Sequence, residues 1–535
     1  MNRFLKSTVV LSFLCFGIME IRAEAWVPPA KAGRKTDNMS IDYGATLYDK
    51  DYYFHFSPNI SYNLNDEFGI SLSAPVNLLL VDNEPKFEKE KTGSLRKFDY
   101  NESNDYGRLV NYIWYGQYEQ EVPGKLTYSL QVGDIRDGRV GHGTILNQYN
   151  NNIRHDIYNV GVIADLNSDY AGVQVFSNSI TTRDVNVARA YIKPLALGRG
   201  IYHFFLIHKG LFTPEEDEYV GMMQARGNVV DEAGRKSVLE EIEERKKKKK
   251  NLPKTVSKYS KMQIEEKDEW YNRFTIGVTR AFDSNLPILL SYSQTGIPER
   301  KENKDVPLVS ESGKLNIEGY DAEYRLLNMK YVEFTPYLDV NRIRELENSG
   351  GTHYGFMARF GDKDVNLIIK PELRKMSSNY IPMYFDSFYE VERFHGRLTS
   401  EDPMVSKFQT AQGLNTTGGI SGFFHTIIFN YYGYSLEASY EDYSGIDNSR
   451  IFIASYIPIA SSLVLSFFYT KKGFDGMGQA FKVDDASLGA VELSFPLGPM
   501  QLRLQNLRRW TFAENETGFR SYDETRLLLS SSYAF

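Results

Sequence analysis

The chain is poor in cysteine: among 535 residues only Cys15 carries a thiol. It lies in an N-terminal stretch ordered like a secretory signal, with Arg3 and Lys6, an apolar run over 9–19, and Ala23-Glu24-Ala25 in the A-x-A pattern of a cleavage site. Leu14 stands where a lipoprotein cleavage site needs a small residue. Cleavage is expected near Ala25, so residues 1–25 are read as signal. The remaining chain then has no cysteine, which excludes disulfides, thiolate metal sites and thiol catalysis.

Long hydrophobic runs are also missing. After the signal nothing approaches the roughly 18 apolar residues of a membrane-crossing helix, and mean hydropathy is −0.42. Positive charge is scarce: the net charge is −7, and loss of Arg3, Lys6 and Arg22 with Glu20 and Glu24 takes it to −8. Mild acidity argues against nucleic acid as a partner. No H-E-x-x-H, G-x-S-x-G, Walker or G-x-G-x-x-G spacing occurs, and the eight histidines are scattered. Neither an enzyme nor a metal or cofactor is expected.

Aromatic residues are abundant, at 14% with 37 tyrosines, and they alternate. Phe54, Phe56, Pro58, Ile60, Tyr62 and Leu64 share one parity; after Asn65-Asp66-Glu67 the pattern resumes with Phe68, Ile70, Leu72, Ala74, Val76 and Leu78. Two such runs make a hairpin. Each is about 11 residues, the length of a tilted strand crossing a bilayer, against about 5 to 6 in soluble folds. The same reading along the chain predicts about 22 strands (20–24), from 39–48 to 524–535. Among them are strands at 201–209, 270–282 and 286–295, a pair at 449–458 and 462–471 split around Pro458, and an optional extra strand over 384–394. Short turns such as 65–67, 120–124, 166–169 and 283–285 take turns with long polar connections at 81–108, 135–155, 210–269, 296–316 and 376–417. A transmembrane barrel has short turns on one side and long loops on the other, so all five long connections are expected on the cell surface.

The final strand places Leu527, Leu529, Ser531, Tyr533 and Phe535 on one face. In this ending, and in its alternating strands, the chain resembles the bacterial outer-membrane β-barrel class, porin-like in kind. The resemblance implies the outer membrane of a diderm bacterium, membrane lipid as surroundings, and a barrel-assembly machinery that reads Phe535. The fold expected is all-β: a single antiparallel up-and-down barrel over 39–535. Residues 26–38 form a short N-terminal segment, which leaves no room for an N-terminal plug domain of the kind energised uptake receptors carry.

With Tyr320, Leu338, Tyr354, Phe360 and Leu367 assigned to lipid, the opposite parity points Asp321, Glu323, Arg325, Glu333, Asp339, Arg359, Lys370, Glu372 and Arg374 into the lumen, with Arg503, Glu437 and Glu441 continuing the pattern. Such charges either line water or form an ordered network. Their mixed sign favours neither cations nor anions. Residues 134–156, DIRDGRVGHGTILNQYNNNIRHD, follow the fifth predicted strand, where porins place an inward-folded loop. By that positional resemblance Arg136, Arg139, His142 and Arg154 are candidate constriction residues, with an ordinary surface loop as the equal alternative. The aromatic stretch over 380–394 lines a ligand cleft or packs as loop or strand. Five lysines at 246–250 read first as a solvated loop end and second as a contact for anionic surface polymers. The function expected is a channel for small polar solutes. The alternatives are an adhesion or scaffold barrel acting through its outer loops, and a lipid or polymer export barrel.

Overall fold

The structure is a computed structural model. It describes residues 38–65, 68–83, 91–97, 99–116, 126–154, 157–208, 270–301, 306–362, 364–396, 404–413, 419–459, 463–498, 500–512 and 519–534. Residues 1–37, the lysine run at 246–250 and Phe535 lie outside these, as do the expectations placed on them.

The chain begins with β1 (Asn38–Tyr48), β2 (Asp51–Asn65), β3 (Phe68–Ser73), β4 (Val76–Val81), β5 (Val110–Gly116) and β6 (Thr127–Gly133). Next come β7 (Gly161–Asn167), β8 (Ala171–Ser177), β9 (Val185–Ile192), the helix α1 (Pro194–His208) and β10 (Phe274–Leu290). They are followed by β11 (Val309–Tyr324), β12 (Leu327–Met329), β13 (Val332–Ile343), β14 (Gly350–Gly361) and β15 (Val365–Met376). Two short helices, α2 (Tyr389–Glu392) and α3 (Lys407–Gly413), precede β16 (Ile420–Tyr431), β17 (Tyr434–Tyr443) and β18 (Ser449–Pro458). The chain ends with β19 (Val464–Phe474), β20 (Ser487–Leu497), β21 (Met500–Phe512) and β22 (Phe519–Ala534).

All pairings are antiparallel between chain neighbours, and β1 pairs with β22 along its whole length, from Asn38↔Ala534 to Tyr48↔Glu524. The sheet therefore closes on itself. β3 and β4 lie end to end on β2, and β11 and β12 end to end on β13, so the 22 strands build a wall of 20 staves, within the expected 20–24 and two below its central figure. Two sequence readings account for the difference. Of the strand expected at 201–209, residues 201–208 are the end of α1: their apolar run does not alternate, and Pro194 sits at the first helical position, where its missing N–H costs nothing. The turn expected at 283–285 is an irregularity inside β10, where pairing with β11 shifts between Asp283 and Leu286. The optional strand over 384–394 is absent; α2 occupies that stretch.

Parity is sharp along each stave: Tyr320 is 58% exposed while neighbouring Asp321 is 9% exposed, and Leu338 is 39% exposed beside Asp339 at 3%. Large apolar side chains exposed on one parity and polar ones buried on the other define a lipid-facing wall around a polar interior. At the rim that holds Asn38 and Ala534, here the near rim, exposed Tyr62, Tyr115, Tyr170, Tyr331, Tyr432 and Tyr533 form an aromatic girdle at the strand ends.

Losing the strand at 201–209 changes the side of one connection. Tracing directions from β1, the chain reaches Ile192 at the near rim and re-enters the wall there at Phe274. The chain thus leaves and re-enters the wall around 210–269 at the near rim, opposite to the side expected. The connections at 82–109, 134–160, 291–308 and 377–419 open on the far rim.

Closure leaves little space at the seam. A Cβ on Gly44 would lie 2.0 Å from the Leu527 carbonyl oxygen and 2.9 Å from Leu528 Cα, so Gly44→Val should force β1 and β22 apart at a cost of about 1–3 kcal/mol. The folded, heat-modifiable fraction on a denaturing gel should fall, whereas Gly478→Val, with nothing within 4 Å, should leave it unchanged.

Candidate functional site

A barrel of 16 to 18 strands already encloses an aqueous channel, so the inner contents of a 20-stave wall decide what it can do. Two far-rim connections supply them. Residues 134–154, between β6 and β7, and residues 377–396 and 404–413, between β15 and β16, turn inward and are largely buried. They join each other through main-chain hydrogen bonds: Met383 N–H donates to Thr144 O at 2.9 Å, Phe385 N–H to Ile145 O at 3.1 Å, and Asn147 N–H to Phe385 O at 3.1 Å. Ile145, Leu146 and Tyr149 then share one apolar cluster with Tyr384, Phe385 and Tyr389. The two connections form a single body.

The composition of 134–154 suits this fold. Gly138 lies so close to the Phe176 ring that a Cβ would be 2.8 Å away, and Gly141 takes a positive φ of 57° against the Arg189 side chain. Asn151 ties the ends of the segment: its amide donates to Asn159 O at 2.9 Å and Asn178 O at 3.1 Å, and its oxygen accepts from Ile135 N–H at 2.9 Å.

Polar side chains of this segment meet the inward parity of the wall. His142 sits between Asp339 of β13 (Nδ1 to Oδ1, 2.7 Å) and Glu323 of β11 (Nε2 to Oε2, 2.9 Å), stacked on Tyr337 at 4.1 Å between ring centres. Thr144 donates to Asp339 at 2.7 Å, and the Lys370 ammonium of β15 donates to the His142 carbonyl. Arg139 pairs with Glu437 of β17 at 3.1 Å, and Gln148 donates to the same carboxylate at 3.2 Å. Arg450 of β18 donates to Gln148 at 3.0 Å. Arg136 pairs with Asp134 within its own segment at 2.6 Å, and Arg154 lies over the Phe394 ring at 5.8 Å. Burial pulls the His142 imidazole down, but Asp339 and Glu323 outweigh it and hold the ring at about 9. It is therefore charged at neutral pH.

The remaining wall charges pair with one another. Arg189 of β9 forms a fork on Asp321 at 2.6 and 3.0 Å. Glu333 bridges Arg359 at 2.9 Å and Arg325 at 3.4 Å. Arg374 contacts Glu372 and reaches Glu441 at 2.9 Å, and Arg503 joins Asp42 at 3.1 Å to Glu492 at 3.2 Å. An ordered network of opposite charges thus lines the inner wall, as the desolvation cost of unpaired inward ions requires.

A second set of anchors was not singled out from sequence. Tyr389 donates to Asp283 at 2.6 Å, and Arg393 pairs with Asp283 at 3.0 Å and Asp184 at 3.1 Å. Asp386 meets Lys472 at 2.7 Å and Arg450 at 3.6 Å, while Glu392 meets Lys407 at 2.6 Å. Phe388 packs edge-on against Trp510 at 5.6 Å, which carries the body across to β21. The signal available was the stretch 380–394 itself, too rich in Phe and Tyr for a solvated loop yet carrying Asp386, Glu390, Glu392 and Arg393. Among the described residues no cluster of His, Cys, Asp and Glu is arranged to hold a metal ion.

By sequence, the chain matches no protein-family model and no curated protein. By shape it is similar to solved outer-membrane proteins. OpdK from Pseudomonas aeruginosa is 8% identical over 94% of this chain and 99% of that one, with a TM-score of 0.28. OccK8 (OprE) from the same organism is 10% identical over 93% and 97%, with a TM-score of 0.27. The siderophore receptor PirA from Acinetobacter baumannii is 9% identical over 94% and 81%, with a TM-score of 0.31. At these TM-scores no residue role, substrate or lumen content transfers to this chain.

Arg393→Leu would leave the fully buried Asp283 without its cation, a loss of about 3–5 kcal/mol for a broken buried pair. Tryptic cleavage at Lys407 in the detergent-solubilised barrel is expected to speed up at least tenfold. Unchanged cleavage would show that the ion pair does not hold the body in place.

Proposed function

We propose that this chain is an outer-membrane channel through which small polar solutes diffuse, along a mixed-charge passage narrowed by residues 134–154, 377–396 and 404–413. One observation carries the reading: two connections fold into the barrel as one body and are fastened to the inner wall by charged groups from β10, β11, β13, β15, β17, β18 and β19. Narrowing a wide barrel with charged groups converts an open hole into a selective one. The near rim, with Asn38 and Ala534, then faces the periplasm and the far rim the cell surface. An adhesive barrel needs its long loops outside; two of the five expected for that role are spent on the interior, and a third leaves from the near rim.

Planar-bilayer recording tests the channel directly. The intact protein should give small stepwise conductances, and deletion of 137–150 should raise the unit conductance several-fold. Absence of steps in both proteins at every voltage would end this reading.

The charge on His142 sets a second expectation. A histidine raised to about 9 keeps its proton through neutral pH and loses it as pH climbs through 9. The passage then gains one net negative charge beside Glu323 and Asp339, so cation preference, read from the reversal potential in a salt gradient, should increase between pH 8 and 10. In His142→Asn that transition should be missing; its persistence would assign the titration to another group.

A further inference from the structure

We propose that α1 is an interfacial helix that lies on the phospholipid leaflet at the near rim, with Leu195, Leu197, Ile201 and Tyr202 immersed in it. The helix follows β9 without a gap: Lys193 N–H donates to Tyr170 O at 2.7 Å, and Leu197 N–H to Lys193 O at 2.9 Å. Its small residues form the contact with the barrel. Ala196 is 1% exposed, and Gly200, one turn on, lies so near the Tyr170 ring that a Cβ would be 2.9 Å from it. Its large residues face away from the protein, with Leu195 41%, Leu197 38%, Ile201 48% and Tyr202 57% exposed.

Three observations select lipid as the occupant of this face. First, the face continues the lipid-facing wall, because Ile192 at the end of β9 and Ile276 and Val278 on β10 are exposed on the outward parity. Second, it lies at the level of the aromatic girdle, where Tyr170 is joined by Trp270, which is 62% exposed just before β10. Tryptophan and tyrosine at that depth sit among lipid headgroups. Third, Arg199 is the one charged side chain between Pro194 and Tyr202, and it lies 4.2 Å over the Tyr271 ring, at the margin of the apolar face. A cation there meets the phosphate layer. At 15 residues the helix is about 22 Å long, too short to cross the apolar slab, and an apolar patch of this kind in water would be a liability. Lying along the interface resolves both. The proposal rests on the barrel crossing a membrane and is independent of what the lumen passes.

The scarcity of cysteine makes the test clean. In a Cys15→Ser background, Ile201→Cys and Leu197→Cys each receive an environment-sensitive fluorophore and are reconstituted in phosphatidylethanolamine–phosphatidylglycerol vesicles containing doxyl lipids. Val278→Cys serves as the lipid-facing control, and Ile446→Cys, which is 79% exposed on the far-rim turn 444–448, as the aqueous one. Both α1 probes should be quenched at least twofold more by shallow doxyl lipid than the Ile446→Cys probe, and should resist iodide as the Val278→Cys probe does. Iodide quenching equal to that of Ile446→Cys overturns the proposal in favour of a solvated helix. Protection from both quenchers overturns it in favour of a covering protein or a second copy of the chain.

Discussion

In hydrocarbon a peptide group has no water to fall back on, so a chain that crosses a membrane with strands must pair every backbone N–H and C=O with a neighbouring strand. The pairing of β1 with β22 completes that requirement here, and much of the remaining structure follows from it. Closure fixes which parity of each strand meets lipid. It also leaves a wide interior that the wall side chains cannot fill by themselves. Polar groups placed on the inner parity then need partners, and a cylinder of this width puts most of them out of reach across the lumen. The two inward connections answer both demands at once, bringing apolar bulk together with counter-charges such as His142, Arg139 and Arg393 to the acids on the wall.

Period-two alternation is local, so strand identity and parity could be read from residues alone: Tyr320 and Asp321 separate into exposed and buried in the structure as their alternation implies. The strand count was less legible, because it depends on short segments with two meanings. Asp283-Ser284-Asn285 has turn composition, yet the Asp283 carboxylate is held inside by Tyr389 and Arg393, and the strand continues through it. Residues 201–208 are as apolar as a strand, but only the preceding Pro194 and Ala196 indicate a helix. Each of these decisions also reverses the side on which later connections open, which is why the placement of 210–269 depended on one helix.

Pairing partners were illegible for a different reason. Arg189 and Asp321 are 132 residues apart, and the register of the sheet brings them together; Lys472 and Asp386 are 86 apart, and the inward fold of the connection after β15 brings them together. The glycines and arginines of 134–154 did mark that segment as unlike the other connections. The fate of 380–394 stayed open, because an aromatic-rich segment bearing acids packs equally well in a cleft, a loop or an extended strand until the volume it must fill is known.

Apolar and ionic contacts together hold the inner body. Toward the far rim β9, β11, β13 and β15 turn Val185, Val187, Leu315, Ile317, Ile343 and Met376 inward, all in one cluster with the two connections, while at the same height Asp283 of β10, Arg450 of β18 and Lys472 of β19 pair with Arg393 and Asp386. Toward the near rim the same staves present Arg189, Asp321, Glu323, Glu333 and Lys370. Apolar packing is non-directional and supplies cohesion, whereas ion pairs depend on geometry and supply position. Because main-chain hydrogen bonds and a shared cluster join the two connections, neither can shift without the other, so any widening of the interior is a movement of the whole body against its ionic anchors.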